Sequence, residues 1–293
     1  MRNHSISVVI PSYNRANQLT QALQSVYAQS HPADEVIIID DGSIDSTETV
    51  VRQQYPHAVY TKQANHGVSA ARNHGIQMAR CKWIALLDSD DTWHPQKLEM
   101  QIEHLQKNPG YRLCHTDEIW IRHGKRVNPM NKHRKYGGHI FQYCLPRCVI
   151  SPSSVLIHRS VFDEYGLFNE GLPVCEDYDL WLRLCAFMPA LFLPQTFVTK
   201  YGGHGDQLSH QYWGMDRFRI QSLSKLLGSG SLTVEQQKQA KAILVEKCKI
   251  YIQGAKKRHK HNEIRHYTML MKEIGHASQD VTGASGLEAR LEI

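Results

Sequence analysis

No apolar run in this chain of 293 residues approaches the roughly 18 to 20 residues that a membrane-spanning helix requires. The longest are short pieces such as Ile84 to Leu87 and Ala190 to Leu193. A secretion leader is not expected: Ile6 to Pro11 is too short for a signal-peptide core and runs straight into Ser12, Tyr13, Asn14 and Arg15, with no small-residue cleavage site. The seven cysteines are odd in number, scattered, and contain no Cys-x-x-Cys pair, which excludes a disulfide framework and a structural zinc site. Reduced thiols in a cytoplasmic chain are the expectation. Charge of one sign is also scarce. Lys plus Arg number 34 against 28 Asp plus Glu, a formal +6 that lies mostly beyond residue 230. With 41% hydrophobic and 21% charged residues, the composition excludes disordered, collagenous and coiled-coil chains and leaves an ordinary globular protein. The basic residues are not interleaved with an aromatic stacking platform, so nucleic acid is not an expected partner.

What is present is an alternation. Ile6 to Ile10 reads as a buried strand, and residues 17 to 28 place Leu19, Ala22, Leu23, Val26 and Tyr27 on one helical face. Glu35 to Ile39 is a second strand, and Asp45 with Glu48 three residues on predicts a capping box opening a helix to about Gln54. Ala58 to Lys62 and Lys82 to Leu87 complete four strands, separated by an Ala-rich helix that ends near Ala79. Thr92 and Pro95 then predict the start of a helix running to Lys107. Residues 108 to 230 are less regular, with strands expected at 111–121, 153–157 and 190–198, a helix at 177–187, and a basic loop from Arg122 to Lys135. Residues 231–275 read as two helices joined by the basic run Lys256 to His261, and 276–293 as a flexible tail. The fold class is therefore α/β, a Rossmann-like, mostly parallel sheet flanked by helices, with a C-terminal helical extension.

Ligands of such sheets bind beyond the carboxyl ends of the strands, which makes Pro11 to Arg15, Asp40 to Ser43, Asn65 to Gly67 and Asp88 to Asp91 the candidate site. Asp88-x-Asp90-Asp91 crowds three carboxylates beside an apolar strand end, an arrangement that suits a hard divalent cation holding a phosphorylated ligand. The competing reading is a helix N-terminus decorated with acids. Asp40-Asp41 reads as a turn with an Asp cap or as a carboxylate that receives an N–H from a base or ribose hydroxyls. Asp177, before the apolar run Leu180 to Leu184, reads as a helix cap or as a rigidly held carboxylate.

Five segments in order carry a resemblance: Ser7 to Arg15, Asp40-Asp41-Gly42-Ser43, Asn65-x-Gly67-x-Ser69-x-Ala71-Arg72-Asn73, Leu87-Asp88-x-Asp90-Asp91, and Glu176-Asp177. Over about residues 5 to 200 the chain resembles family 2 glycosyltransferases of the GT-A fold. That resemblance implies a glycosyltransferase domain over 1–230, with a nucleotide-binding half at 1–107 and an acceptor-binding half at 108–230, followed by the 231–275 extension. It implies that Asp41 recognises the nucleotide base, that Pro11, Tyr13 and Arg15 line the base and phosphate pocket, and that Asn65, Gly67, Arg72, Asp88 and Ser89 complete the donor site. Asp90, with Asp88, resembles the ligand of Mn²⁺ or Mg²⁺, and Asp177 the catalytic base. A later histidine, His204 or His210, can add to the metal or diphosphate in related folds; an ordinary loop histidine is the alternative.

The implied reaction is inverting transfer from a nucleotide diphosphate sugar, with a uridine diphosphate sugar expected, to a hydroxyl of a glycan or lipid-linked acceptor in envelope or surface-polysaccharide assembly at the cytoplasmic face. The chain has no membrane spans and no Gln-x-x-Arg-Trp motif, which favours one sugar per encounter over processive synthesis. Two rival expectations are a non-catalytic nucleotide-sugar-binding module and a sugar-nucleotide pyrophosphorylase, although the latter needs a Gly-rich loop after its first strand and Pro11 to Arg15 contains no glycine. The basic run 256–261 reads either as a solvated turn or as a peripheral contact with an anionic membrane surface.

Overall fold

A computed structural model describes residues 4–128, 130–203 and 212–276. The chain forms two compact units, Met1–Gln211 and Tyr212–Ile293.

The first unit opens with the alternation read from sequence: β1 (Ile6–Ser12), α1 (Ala16–Tyr27), β2 (Glu35–Asp40), α2 (Thr47–Gln54), β3 (Val59–Lys62), α3 (Val68–Met78) and β4 (Trp83–Leu86). Every residue of β1, β2 and β4 is buried, as strands covered on both faces must be. Ile6, Val8 and Ile10 join Leu19, Leu23, Val26 and Val51 in the core cluster on one face. On the other face α3 lies so close that a Cβ on Gly75 would sit 2.3 Å from a methyl of Val9. Glycine there allows the close helix–sheet approach.

The remaining elements are β5 (Asp91–Trp93), α4 (Lys97–Lys107), β6 (Leu113–Arg122), β7 (Lys125–Val127), α5 (Phe141–Cys144), β8 (Leu156–His158), α6 (Ser160–Tyr165), α7 (Glu176–Phe187) and β9 (Leu191–Gly202). The strand order is β3-β2-β1-β4-β8-β6-β9-β5, with β7 paired to β6. The half from β3 to β4 is wholly parallel, whereas β8 runs antiparallel to both β4 and β6, and β5 antiparallel to β9. Two expectations need correction. Asp45 does not build a capping box on α2. One of its oxygens accepts Thr47 N–H at 3.0 Å while the other accepts Ala16 N–H at 3.1 Å, so it ties the first turns of α1 and α2 together. The segment after the acidic loop is not yet helix either: Asp91–Trp93 pairs with β9, and α4 starts only at Lys97. The basic loop after Arg122 contains the short hairpin strand β7.

The second unit holds α8 (Asp216–Gly228), α9 (Val234–Lys257) and α10 (His261–His276). Thr233 caps α9 with a reciprocal box: its hydroxyl accepts Gln236 N–H, and the Gln236 side chain accepts Thr233 N–H. Ala240, Leu244, Cys248, Tyr251 and Ile252 form the buried stripe expected of α9. Among the described residues no helix is long and apolar enough to cross a membrane.

Candidate active site

The carboxyl ends of β1, β2 and β4 turn into three loops that are stitched to one another. Asn14, at φ 52, donates its N–H to Ser43 Oγ at 2.8 Å and accepts Ile44 N–H on its side-chain oxygen at 2.8 Å. Asp40 is fully buried, accepts Ser43 N–H at 2.7 Å, and receives the Tyr60 hydroxyl. Burial and that carboxylate together push the Tyr60 phenol well up.

Asp41 is also buried, and its carboxylate closes the loop that follows β3. It accepts the Gln63 side-chain amide at 2.8 Å, His66 N–H at 3.0 Å and Gly67 N–H at 2.8 Å. Gly67 can hold this position because its φ of +90 is costly for any residue with a Cβ. Asn65 lies exposed on the same loop. Pro11 is buried in β1, and the Tyr13 ring stands 47% exposed at the rim, free to meet a planar ligand.

Beyond β4, the acids are held by cations. Arg15 pairs with Asp90. Arg72, only 4% exposed, donates one end of its guanidinium to Asp88 at 2.7 Å and the other to Glu176 at 2.6 Å, over the ring of Phe168. Its Nε is buried with no hydrogen-bond partner. Burial alone would raise the Asp88 carboxyl, but Arg72, Lys200 and Arg15 hold it below its ordinary range. Asp91 goes the other way: burial, together with Asp88 and Asp90, lifts its carboxyl to about 8 against the opposing pull of Lys200. Ser153 organises this turn, donating Oγ–H to Asp91 at 2.6 Å while its Oγ accepts Asp88 N–H at 3.0 Å. Ser89 is buried within it.

Arg72 also brings in the far part of the chain. Because Glu176 opens α7, its neighbour Asp177 is carried to the same rim as Asp88. Cys175, at φ 63, makes the turn into the helix. Asp177 accepts Tyr178 N–H at 2.6 Å on one oxygen and the Cys148 thiol at 3.2 Å on the other. The Cys148 thiol, pushed well up by burial and by Asp177, stays protonated and able to donate. Lys200 of β9 lies 3.8 Å from Asp91 and feels Asp91, Glu118, Asp88 and Asp177 together, which keeps its ammonium charged despite burial. Glu118 is in turn paired with Lys135 at 2.8 Å. The arrangement is a polar rim in which four cations, Arg15, Arg72, Lys135 and Lys200, face the acids of three segments, 88–91, 118 and 176–177. Lys200, Ser153, Glu118 and Cys148 carry no local motif and were absent from the sequence reading; Glu176 was visible in the Glu176-Asp177 pair, though not as the anchor of Arg72. His204 and His210 lie outside the described residues.

The donor set fits a hard divalent cation: the carboxylates of Asp88 and Asp90 offer only oxygen, and each is paired with a cation, Arg72 or Arg15. Among the described residues no group of three His, Cys, Asp or Glu side chains converges by itself.

The model of a family described as glycosyl transferase family 2 matches residues 7–166. An uncharacterised glycosyltransferase of Rickettsia felis is 33% identical over 214 residues, covering 69% of this chain and 35% of its own length. A putative teichuronic acid biosynthesis glycosyltransferase of Bacillus subtilis is 41% identical over 124 residues, covering 38% of this chain and 48% of its own. The chain thus spans between about a third and three fifths of the length of the first curated relatives it matches. Among solved structures, Staphylococcus aureus TarS with UDP-GlcNAc superposes with a TM-score of 0.66 at 19% identity, over 83% of this chain and 71% of that one. The Pyrobaculum calidifontis mannosyltransferase with GDP-Man and Mn²⁺ gives 0.62 at 15% identity, over 98% and 88%. At these identities the structures show a shared fold, the GT-A architecture with helices following it.

Proposed function

This chain belongs to glycosyl transferase family 2, and from that premise we propose that it transfers a sugar from a nucleotide diphosphate donor, with a uridine diphosphate sugar preferred, to a hydroxyl of a glycan or lipid-linked acceptor in surface-polysaccharide assembly. The observation that supports the reading is the Arg72 bridge, which joins the strand-end acid Asp88 to Glu176, the neighbour of Asp177 at the start of α7. Transfer needs these two chemistries side by side: a site that neutralises a departing diphosphate and a carboxylate that takes the proton of the attacking hydroxyl.

The base and ribose enter over Tyr13 and Pro11 beside the Asp41 loop, whose Asn65 and Gly67 line the same edge. Asp41 keeps lone-pair capacity beyond the three donors it already holds. Arg15 can exchange Asp90 for a phosphate oxygen, since guanidinium pairs equally with either anion. A divalent cation, Mn²⁺ or Mg²⁺, held by Asp90 and Asp88 would supply Lewis-acid stabilisation of the leaving diphosphate. Across the rim, Asp177 accepts the acceptor's proton, and the Cys148 thiol holds the carboxylate in place from behind. One displacement on the anomeric carbon inverts its configuration. The family name of the teichuronic acid relative and the nucleotide sugars in the two structural neighbours support the acceptor and donor classes.

The test combines binding with turnover. Thermal shift with nucleotide diphosphates, with and without Mn²⁺, is expected to give stabilisation by one nucleotide that grows with the metal. Asp177→Asn is expected to retain that shift while losing at least a hundredfold in kcat. An Asp177→Asn protein that folds and transfers at the wild-type rate refutes the assignment of the base; turnover absent from wild type and variant alike, with the shift intact, identifies a binding module.

A further inference from the structure

The second unit carries three cations gathered on a single indole. Lys260 lies 4.0 Å from the Trp213 ring centroid, Arg258 5.1 Å and Arg217 5.8 Å, while Tyr251 stacks on the same ring at 5.3 Å. The turn between α9 and α10 arranges this. His259 takes a left-handed φ of 54, Lys260 N–H donates to Ala255 C=O at 3.0 Å and His259 N–H to Lys256 C=O at 3.1 Å, a Schellman closure that aims the residues on either side of His259 at one target.

The counter-charge is incomplete. Glu263 pairs with Lys260 at 3.5 Å and spends its other oxygen on the Tyr251 hydroxyl at 2.6 Å. Among the described residues neither Arg217 nor Arg258 has a carboxylate partner: Arg258 donates to Gly254 C=O at 3.0 Å, and Arg217 Nε is buried with no hydrogen-bond partner. Lys256 and Lys257 stand exposed beside them. Cations this close repel one another through only partial salt screening, and an anion among them relieves that repulsion. A second feature says what kind of anion. The apolar stripe of α10, Ile264, Tyr267, Leu270, Met271 and Ile274, is mostly covered, with Tyr267 packed on Tyr251, but Met269 on the same helix is 56% exposed and Ile250 on α9 is 50% exposed. A soluble phosphate needs the charges alone; a basic cluster around a tryptophan, on a helix pair that exposes Ile250 and Met269, is the chemistry of a lipid interface.

We propose that this corner of the second unit docks on an anionic bilayer, with lipid phosphates entering among Arg217, Arg258 and Lys260 and the Trp213 ring at headgroup depth. The inference stands independently of the transfer reaction. The structure adds to the basic run 256–261 two residues distant in sequence, Trp213 and Arg217, that turn a solvated stretch of charge into a shaped site.

The experiment is co-sedimentation of the full chain with vesicles of phosphatidylcholine alone and of phosphatidylcholine mixed with phosphatidylglycerol. Binding is expected only to the mixed vesicles, weakening as salt rises. Arg217→Gln/Arg258→Gln/Lys260→Gln is expected to lower the partition coefficient by about fivefold for each charge removed. Lys238→Gln/Lys241→Gln/Lys249→Gln, which removes the same charge elsewhere on α9, is expected to leave most binding in place. Circular dichroism confirms that both proteins are folded. Equal losses in the two triple variants would reduce the effect to net charge and overturn the site, as would equal binding to neutral vesicles or none to either. Loss of vesicle binding when inorganic phosphate replaces chloride at equal ionic strength would assign the cluster to a soluble anion and also overturn the proposal.

Discussion

Lys97 is a lysine with no exposure at all, and replacing it with methionine should stabilise the protein. It is the first residue of α4. Its ammonium donates to the Gln101 side-chain oxygen at 2.9 Å and weakly to Val155 C=O at 3.4 Å, and lies 4.1 Å above the Trp93 ring. None of these partners is charged, so burial lowers its pKa from 10.5 to about 7. The unfolded chain, with the higher pKa, binds more protons throughout the window between those values. Stability therefore rises as pH rises from 7 towards 10.5 and carries the full cost of charging below 7. At 1.36 kcal/mol per unit of pKa, that cost is about 4 kcal/mol at pH 7 and about 2 kcal/mol at pH 9. Methionine fills the same slot without the charge but leaves Gln101 and Val155 each short of a donor, a loss of about 1 to 3 kcal/mol. Lys97→Met should thus gain about 1 to 3 kcal/mol near pH 7, with the gain shrinking and vanishing near pH 9 to 10. Urea unfolding of both proteins from pH 6.5 to 9.5 measures this. The difference between them isolates Lys97, because Asp91, whose raised carboxyl costs stability as pH climbs towards 8, is common to both. Parallel stability curves for the two proteins, with no convergence at high pH, would refute the reasoning.

Two further outcomes follow from the packing of the first unit. Arg72→Met leaves Asp88 and Glu176 without the guanidinium that bridges them and should cost about 3 to 5 kcal/mol in urea unfolding. Arg72→Lys should fail to restore turnover, since one ammonium cannot span two carboxylates in the fork that Arg72 makes. Gly75→Ala pushes a methyl into Val9 and should lower stability by about 1 to 3 kcal/mol, seen as a reduced Tm with donor KM unchanged in the folded fraction.

The parallel half of the sheet was legible because its signals are local. Ile6 to Ile10, Glu35 to Ile39 and Lys82 to Leu87 are strand-forming, largely apolar runs, each followed by the polar turn that a strand tip demands, and the structure ends β1, β2 and β4 there. What sequence could not show is non-local. Asp91–Trp93 is a strand only because β9, more than a hundred residues away, pairs with it; Pro95 two residues on makes the same segment read as a helix start. Asp45 and Glu48 have the spacing of a capping box, but the N–H of Ala16, 29 positions earlier in the chain, competes for the carboxylate and wins. Lys200 sits in an unremarkable strand segment and acquires its place at the rim from the pairing of β9 with β6 on one side and with β5 on the other, where Asp91 lies opposite it. Lys97 is hidden for the opposite reason: a lysine just after a helix start normally faces water.

These hidden residues form one support behind the acidic loop. Ser153, in the turn before β8, uses its hydroxyl to hold Asp88 N–H and Asp91, and its carbonyl to accept the Trp93 indole N–H at 2.8 Å. The Trp93 ring then carries Lys97, and Gln101, the partner of Lys97, reaches Ser154 C=O at 3.0 Å. The loop that bears Asp88 and Asp90 is therefore fixed at its back by a chain of directional contacts in which each member has few alternatives and is tied through Asp88 to the buried Arg72, whereas at its front Asp90 is held by Arg15, a cation that another anion can take over. A rigid back and an exchangeable front are what a donor-binding edge requires. On the function proposed above, the carboxylates would keep their positions while the counter-charge of Asp90 is redistributed, so the reorganisation on donor binding would fall on the Arg15 side chain and not on the backbone that carries the acids.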